Sequence, residues 1–334
     1  MAYNNIRSVC YAAPERELNI VAIGGGHGIS GMLRGLKRYS RNITAIVTVA
    51  DDGGGSGALR DDLGMLPPGD IRNCMMALAN TEPTMEQLLQ YRFTEGSLAG
   101  QSFGNLFLAA MNGISSSFDE AVHKMGDVLA ITGRVLPVTN SNVHLEALFD
   151  NGERTLGESK IFYAKKINNC RISQVRLIPE NPPALPDSLR AVEEADLIVI
   201  GPGSLYTSII PNFLVQGVSE AVARSTAPKI FVMNIMTQDG ETDNYSGYEH
   251  VEAFLRHAPN TIDVCIANST KLSDDVLEPY RLEGVEQIRL EEEKIRELGI
   301  AVRKYPLAIG SRYIRHNSEL LAKAIMEVYQ ETGR

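Results

Sequence analysis

A short apolar segment that ends in three consecutive glycines constrains the fold of this chain more than any other feature. Residues 18–23 (LNIVAI) have the β-branched, apolar character of a buried strand, and residues 29–39 place apolar side chains at helical spacing. A second strand pattern, at residues 43–49, ends at two aspartates and three glycines. Strand, glycine loop, helix and strand form the opening half of a doubly wound fold. The sequence therefore predicts an α/β protein with a mostly parallel, Rossmann-like sheet.

Strands and helices alternate again in the second half of the chain. Predicted strands at residues 197–200, 229–233 and 264–267 are short and apolar. The predicted helices of this half are at residues 188–195, 213–224, 248–257 and 317–329. This alternation predicts that the second half adds further parallel strands to the same sheet.

The segment between the two halves has a different character. Residues 58–134 have helical periodicity broken by glycine and proline, which predicts a run of helices. Residues 135–177 contain apolar stretches joined by an Asp-Asn-Gly-Glu turn, which predicts a small antiparallel excursion from the main sheet. We predict a loosely ordered extension at residues 1–17 and a single nucleotide-ligand-binding domain at residues 18–334.

Charge and cysteine spacing argue against several classes of protein. The net charge of −9 disfavours a nucleic-acid partner, because phosphate backbones are bound by clustered Lys and Arg. The sequence has no signal-peptide pattern and no apolar run long enough for a membrane span, so we expect a cytoplasmic protein. Neither a disulfide framework nor a zinc site is expected from the widely separated cysteines, which are Cys10, Cys74, Cys170 and Cys265.

The first glycine loop has the pattern of a phosphate-binding turn. Residues 26–31 form a literal GxGxxG between a predicted strand and a predicted helix, whose first N–H groups attract anions. The alternative is a tight turn in which glycine has only a geometric role. The histidine of this loop is more typical of a pocket residue than of a general base, because no carboxylate partner is near it in sequence. The candidate ligand-binding residues are Gly24, Gly25, Gly26, His27 and Gly28.

Two aspartates begin the second glycine loop. In a dinucleotide fold one of them would hold ribose hydroxyls, whereas the pair would suit Mg²⁺ against a diphosphate, because hard cations take oxygen ligands. The alternative is that an aspartate caps the following turn or helix. We predict one capping role and a ligand or metal role for the pair. The candidate binding residues are Asp51, Asp52, Gly53, Gly54 and Ser56, of which Asp51 and Asp52 are also candidate catalytic residues and Mg²⁺ ligands.

Two shorter segments place polar residues at predicted helix starts. Asp70 and Asn73 lie in a Pro-Pro-Gly-Asp-Ile-Arg-Asn segment, where Asp70 is either an N-cap followed by a surface arginine or part of a pocket. Asn105 lies in a Ser-Phe-Gly-Asn segment and is either part of a helix cap or part of a pocket wall. All three residues are candidate ligand contacts.

Two polar loops in the second half of the chain follow predicted strands, as the first glycine loop does. They follow the predicted strands at 197–200 and 229–233 and contain small, hydroxyl and amide residues. Because the carboxyl ends of parallel strands share one edge of a sheet, we expect these loops and the first glycine loop to enclose a cleft. The candidate ligand contacts are Gly201, Gly203, Ser204, Tyr206, Asn234, Thr237, Gln238 and Glu241.

The loops of this chain resemble those of the gluconeogenesis factor family, whose CofD-like fold is shared with the phospholactate transferase of deazaflavin-coenzyme synthesis. The matching stretches include VAIGGGHGIS, AIVTVADDGGGSGALR, PPGDIRN, VIGPGSLYTSIIPN and NIMTQDGETD. With Arg-His-Asn at residues 315–317, they extend from the first predicted strand to the last predicted helix. Two residues depart from the family pattern: His27 stands where threonine is frequent, and Gly55 where serine is frequent.

The resemblance implies a cytoplasmic regulator that binds UDP-N-acetylglucosamine or a related UDP-sugar. It implies a link from gluconeogenic carbon flux to peptidoglycan precursor synthesis and cell shape, through a protein partner in amino-sugar or cell-wall synthesis. It also implies that Tyr280 and Arg315 hold the UDP-sugar, and it allows a homodimer.

Three functions are therefore in competition. The first is this ligand-sensing regulator, which needs no chemical step. The second is a Mg²⁺-dependent transferase of the phospholactate-transferase type that uses a nucleotide-activated donor. The third, an NAD-dependent oxidoreductase, follows from the GxGxxG pattern and Asp51, but the sequence supplies no recognisable hydride-transfer acid. It ranks last, with NAD kept as a candidate occupant of the cleft.

Overall fold

A parallel seven-stranded sheet forms the centre of the computed structural model, which describes residues 17–168, 170–310 and 313–332. The strands are β1 (Ile20–Gly24), β2 (Ile43–Val47), β3 (Arg134–Pro137), β4 (His144–Phe149), β5 (Arg154–Leu156), β6 (Ile172–Ile178), β7 (Leu197–Ile200), β8 (Lys229–Val232), β9 (Val264–Asn268), β10 (Ala301–Tyr305), β11 (Ala308–Ile309) and β12 (Arg315–His316). The large sheet has the order β10-β9-β8-β7-β1-β2-β3, with every neighbouring pair parallel. The predicted doubly wound α/β fold is confirmed. The predicted extension, apart from its last residue, lies outside the described residues.

Helices pack around this sheet. They are α1 (Gly26–Leu36), α2 (Gly54–Leu63), α3 (Gly69–Leu78), α4 (Pro83–Gln90), α5 (Phe103–Gly113), α6 (Phe118–Val128), α7 (Glu158–Asn168), α8 (Pro186–Glu193), α9 (Ile210–Phe213), α10 (Val218–Arg224), α11 (Gly247–His257), α12 (Asp274–Leu282), α13 (Glu292–Glu297) and α14 (Ser318–Glu331). Every residue of β1, β2, β7 and β8 is buried, so both faces of the sheet are covered, because successive side chains of a strand point to opposite faces. In the described ranges no helix is long and apolar enough to cross a membrane.

The predicted antiparallel excursion is present and larger than expected. Strand β4 pairs with β5, as the hairpin prediction required, and its other edge pairs antiparallel with β6. Its side chains alternate between buried and half-buried positions, which is the pattern of a sheet with one face on the core. This small sheet carries α7, which begins directly after β5.

The predicted single helix at residues 213–224 is wrong. A π-helical turn at Leu205–Ile209 leads into the short α9, and α10 begins separately at Val218. Gly217 has φ +85°, a left-handed conformation that interrupts a right-handed helix and that glycine adopts without steric cost. The break follows from backbone geometry that apolar periodicity does not report.

The strand order reverses between β1 and β7. From β1 the chain continues to β2 on one side, whereas β7 occupies the other side of β1. The loops that leave β1 and β7 therefore diverge at the carboxyl edge of the sheet. In open α/β sheets this reversal leaves a crevice that binds ligands.

The two loops touch at Gly28 and Pro202. A Cβ atom at Gly28 would collide with the carbonyl group of Pro202, and one at Gly25 would lie 2.5 Å from a carboxylate oxygen of Asp70. At both positions the added Cβ atom would lie closer than van der Waals contact allows, so only glycine fits at either position. The first glycine loop is therefore a packing surface as well as a turn.

The helix α14 packs against α1. A Cβ atom at Gly35 of α1 would collide with the carbonyl group of Ser318, the first residue of α14. An exposed ion pair of 2.6 Å joins Arg38, in the turn after α1, to Glu319 of α14. The start of α14 is thereby held beside the helix that carries the first glycine loop.

We expect Gly28→Ala to destabilise the protein by roughly 1–3 kcal/mol through overpacking, although alanine is the better helix former. The matched control is Gly113→Ala at the end of α5, because a Cβ atom there would meet no atom within 4 Å. Denaturant unfolding of both variants measures the difference. Equal stability of the two variants would contradict the contact between Gly28 and Pro202.

Candidate functional site

A cleft of about 610 Å³ opens at the strand-order reversal. Its walls come from the first glycine loop and α1, the loop after β7, the loop after β8, and the segment around β11 and β12. The residues that line it include Gly26, His27, Gly28, Ser30, Arg34, Gly203, Ser204, Ser208, Asn234, Thr237, Gln238 and Arg315. The expectation that the three loops share one cleft agrees with this arrangement.

The amino terminus of α1 faces this cleft. The helix begins at Gly26, whose φ of +68° suits glycine, and its N-cap residue Gly25 makes no side-chain cap hydrogen bond. The N–H of Gly26 is bonded to the Asp70 carboxylate. The Ser30 hydroxyl donates to the carbonyl oxygen of His27 at 3.0 Å, so it does not occupy an N–H group. The N–H groups that follow Gly26 in the first turn and the positive end of the helix dipole favour an anion at this position.

Two cationic residues line the same cleft as that helix terminus. Arg34 lies on α1, seven residues after His27 and therefore on the same face of the helix, and Arg315 comes from β12. Partial burial, followed by the charges of Arg315, Arg72 and Arg34, lowers the pKa of His27. The cleft thus concentrates positive charge in a protein of net charge −9.

The loop after β8 holds the loop after β7 in place. The Asn234 amide makes two bonds to Gly203: its Oδ1 accepts from the backbone N–H at 3.1 Å, and its Nδ2 donates to the carbonyl at 2.7 Å. The Ser204 hydroxyl donates to Gln238 Oε1 at 2.7 Å. These candidates line the cleft, and their mutual bonds fix the shape of its wall.

Two other candidates of these loops lie behind the cleft wall. Glu241 is 3% exposed, and its Oε1 accepts the backbone N–H groups of Tyr206 and Thr207 at 2.6 and 3.0 Å. The Tyr206 ring is fully buried, and its hydroxyl donates to the Ile172 carbonyl at 3.2 Å. Their side chains belong to the core and do not line the cleft. Thr237 lines it but is bonded through its backbone and hydroxyl to Glu286.

Tyr280 positions the segment that carries Arg315. Its hydroxyl accepts the backbone N–H of Ile314 at 2.5 Å, and Ile314 directly precedes Arg315. The neighbouring His316 contacts the Met233 carbonyl through Nε2 at 3.1 Å, and burial lowers the pKa of His316 to about 4. The structure therefore brings the two residues implied by the resemblance together, with Arg315 in the cleft and Tyr280 next to it.

An acidic group lies on the other side of the first glycine loop. Asp51 Oδ1 accepts the N–H of Gly53, and Asp52 Oδ1 accepts the N–H of Ser159, both at 2.8 Å. Asp51 thus caps the turn that follows it, as predicted for one of the two aspartates, whereas neither aspartate is the N-cap of α2. Gly53 and Gly54 begin α2, and Ser56 bonds to the Asp51 carboxylate.

Asp70 is not the N-cap of α3, contrary to one of its two interpretations. Pro68 occupies the cap position, and the Asp70 carboxylate accepts the N–H of Gly26 in the first glycine loop. The arginine of the same segment is also not a surface residue: Arg72 is half-buried and donates to Ser102 at 2.5 Å and to Asn73 at 2.7 Å.

Ser102 caps α5 by accepting the N–H of Asn105. Asn105 is 4% exposed, and its Oδ1 has no hydrogen-bond partner among the described residues. Neither Asn73 nor Asn105 is among the residues that line the cleft.

Burial raises the pKa of three carboxyl groups around these loops. Burial, followed by the charge of Asp51, raises the pKa of Asp70 to about 7. Burial, followed by the charges of Asp51 and Asp52, raises the pKa of Glu158 to about 7. Burial also raises the pKa of Glu241 to about 7. These shifts mark the acidic group as a site where positive charge would be stabilised.

A preformed metal cage is not part of this acidic group. Within the described ranges, no three His, Cys, Asp or Glu side chains are grouped so that they could hold a metal ion. A metal ion at Asp51 and Asp52 would therefore need ligand phosphates or water to complete its coordination, which is usual for Mg²⁺.

Comparison with known proteins identifies the family. The family model described as 2-phospho-L-lactate transferase CofD matches residues 20–308. The putative gluconeogenesis factor of Thermoanaerobacterium thermosulfurigenes is 53% identical over 308 residues, which are 92% of this chain and 95% of that protein. The gluconeogenesis factor of Bacillus subtilis is 43% identical over 316 residues, 93% of this chain and 98% of that protein. This chain belongs to the gluconeogenesis factor family.

A solved structure confirms the fold of this gluconeogenesis factor homologue. The crystal structure of a UPF0052 family member from Bacillus halodurans superposes with a TM-score of 0.90 at 42% identity. The match covers 93% of this chain and all of that chain. The CofD-like fold expected from the loop motifs is therefore confirmed.

Sequence reasoning missed four residues of the site in this family member. Arg34 and Ser30 could have been predicted from the sequence, because their spacing from the first glycine loop places them on the cleft face of α1. Ser208 follows the second loop, where the π-helical turn changes the usual helical register. Glu158 begins α7 after the small sheet, and nothing in its sequence neighbourhood indicates that it faces Asp51.

The raised carboxyl pKa values predict that three carboxyl groups contribute less to the stability of the ligand-free protein as pH rises, opposite in sign to the contribution of His316, whose pKa is lowered. Asp70, Glu158 and Glu241 bind protons more tightly when folded than when unfolded, so their stabilisation is complete below about pH 4.5. It is lost as pH rises through about 7. Each group contributes a slope of at most about 1.4 kcal/mol per pH unit.

Melting temperatures between pH 5 and pH 8 test this dependence. Glu158→Gln should reduce the decline, whereas Glu95→Gln, at an exposed carboxylate in the loop after α4, should leave the slope as it is. Identical pH profiles for wild type and Glu158→Gln would refute the assignment.

Proposed function

We propose that this protein binds a UDP-sugar, of the UDP-N-acetylglucosamine type, in the cleft at the strand-order reversal. The observation that carries this proposal is that the amino terminus of α1, Arg34 and Arg315 line one cleft. A bridging diphosphate is a compact anion that both backbone N–H groups and guanidinium groups recognise. The same position would accept the diphosphate of NAD, which is therefore the first competitor to test.

The rest of the cleft suits the two ends of such a ligand. Its volume of about 610 Å³ is in the range of small-molecule sites. Ser204 and Gln238 present a hydroxyl and an amide on one wall, groups that bond sugar and ribose hydroxyls. Because Asn234 braces this wall, its polar groups are pre-organised, which lowers the entropic cost of binding.

The regulatory role rests on the family membership together with the architecture of the cleft. The relatives carry the name gluconeogenesis factor, and the cleft has no titratable nucleophile paired with a base among its described lining residues. We therefore propose a cytoplasmic sensor in which the ligand-bound form contacts a protein partner in amino-sugar or cell-wall synthesis. That form would link gluconeogenic carbon flux to peptidoglycan precursors and cell shape. A homodimer is part of the same proposal.

A Mg²⁺-dependent transferase is the second candidate. The acidic group beside the first glycine loop favours it, because Asp51 and Asp52 would hold Mg²⁺ together with the phosphates of a nucleotide-activated donor. The ion would supply charge stabilisation for the transferred group. The CofD family model, named for 2-phospho-L-lactate transferase, gives this candidate its reaction class.

Thermal-shift measurement with UDP-N-acetylglucosamine, UDP-glucose, UMP, GDP and NAD tests the first candidate. A ligand present at 100 times its Kd should stabilise the fold by about 2.7 kcal/mol. We expect UDP-sugars to raise Tm and Arg315→Ala to weaken binding about 10- to 100-fold, because it removes a charged contact to phosphate.

Arg190→Ala is the matched control, since Arg190 is exposed on α8 and pairs with Asp187 outside the cleft. A shift produced only by GDP or NAD would rule out the UDP-sugar.

A turnover assay separates the second candidate from the first. Incubation with nucleotide-activated donors and Mg²⁺ should release nucleotide if the protein is a transferase. Asp51→Asn or chelation of Mg²⁺ should then abolish the release. For the sensor we expect tight binding of UDP-sugar with no release of nucleotide, and the same binding after chelation. Mg²⁺-dependent release that Asp51→Asn removes would replace the sensor by the transferase.

A further inference from the structure

His27 is the titratable residue at the amino terminus of α1 that is exposed to the cleft. It is the second residue of α1, it is exposed, and it lines the cleft beside the start of that helix. In that position a bound phosphate group would lie against both the imidazole ring and the first N–H groups of the helix.

Charged groups from three elements surround His27. Arg34 belongs to its own helix, Arg72 and Asp70 come from α3, and Arg315 comes from β12. His316, the remaining titratable residue of the β12 wall, is held neutral near physiological pH by burial. Of these neighbours, the three arginines act on His27, and all three oppose a positive charge on it.

An anionic ligand would reverse this balance. In the ligand-free cleft, partial burial and the guanidinium charges lower the pKa of His27, so the imidazole is mostly neutral at pH 7. A bridging diphosphate carries two negative charges, which compensate the arginines and favour the imidazolium form. A protonated imidazole can also donate a charge-assisted hydrogen bond to a phosphate oxygen.

We infer that His27 takes up a proton when a diphosphate ligand enters the cleft, so that binding is tighter at acidic than at alkaline pH. The inference deepens the proposed function and rests on it. The binding free energy that protonation of His27 adds is largest below the pKa that His27 has in the complex. This added free energy disappears above that pKa. Between the pKa values of the free and the bound state, the affinity should fall by up to tenfold per pH unit.

Titration calorimetry with UDP-N-acetylglucosamine tests this proton uptake. The bridging diphosphate of this probe has no ionisation between pH 5.5 and 8, so the ligand adds no protons of its own. Binding heats measured at one pH in two buffers of different ionisation enthalpy give the number of protons bound. We expect uptake by the wild-type protein and an affinity that falls as pH rises.

Three variants assign the proton. His27→Gln keeps a hydrogen-bonding side chain without titration, and we expect it to lose most of the uptake and most of the pH dependence. His27→Thr is the smaller alternative if glutamine disturbs folding. His123→Gln, at an exposed histidine of α6 paired with Asp127, should behave as wild type. Unchanged uptake in His27→Gln would overturn the inference and point to Asp70 or Glu158.

A second probe separates this inference from the proposed function. NAD also has a bridging diphosphate without ionisation in this range. If NAD binds with His27-dependent uptake and UDP-N-acetylglucosamine does not bind, the UDP-sugar proposal fails and the inference stands. If UDP-N-acetylglucosamine binds without uptake, the inference alone fails. If neither probe binds between pH 5.5 and 8, both fail.

Discussion

The contact between Gly28 and the carbonyl of Pro202 is the constraint on which the site depends. It fixes the separation of the two loops that diverge from β1 and β7, and therefore the width of the cleft. A side chain at Gly28 would push the loops apart and tilt the start of α1 away from the sheet. The hydrogen bonds of Asn234 then hold the second loop in the position that this contact requires. A binding surface thus results from backbone packing, before any ligand-contacting side chain is considered.

The first glycine loop separates two regions of opposite charge. On the cleft side, Arg34 and Arg315 accompany the positive end of α1, whereas on the other side Asp70 accepts the N–H of Gly26. A single turn of backbone lies between them. The negative charge of Asp70 would repel a phosphate if it faced the cleft, but its bond to Gly26 directs it behind the loop. The two proposed activities therefore use different sides of the same loop: anion binding on one side and cation binding on the other.

Much of the fold could be predicted from sequence because its signals are local. The apolar strands, the glycine loops and the helix periods each lie within a dozen residues, and the parallel sheet follows from their alternation. The break at Gly217 could not be predicted, because it depends on a φ angle and not on apolar spacing. The site was predictable where strands end, as at His27 and Gly203. It was not predictable where distant segments meet, as with Glu158, and Tyr206 shows that a polar residue beside a glycine loop can point into the core.

The packing of α14 on α1 has a consequence for the order in which the cleft is built. Arg34 belongs to an early helix, but Arg315 enters the cleft only when the start of α14 settles beside Gly35. A chain emerging from the ribosome can complete β1, α1 and β2 long before residue 315 has been synthesised. During that time the α1 terminus lacks its second arginine, and until residue 234 has been synthesised the wall braced by Asn234 is also missing. The positive charge that would favour an anionic ligand is therefore complete only after residue 315 has been synthesised and has joined the fold.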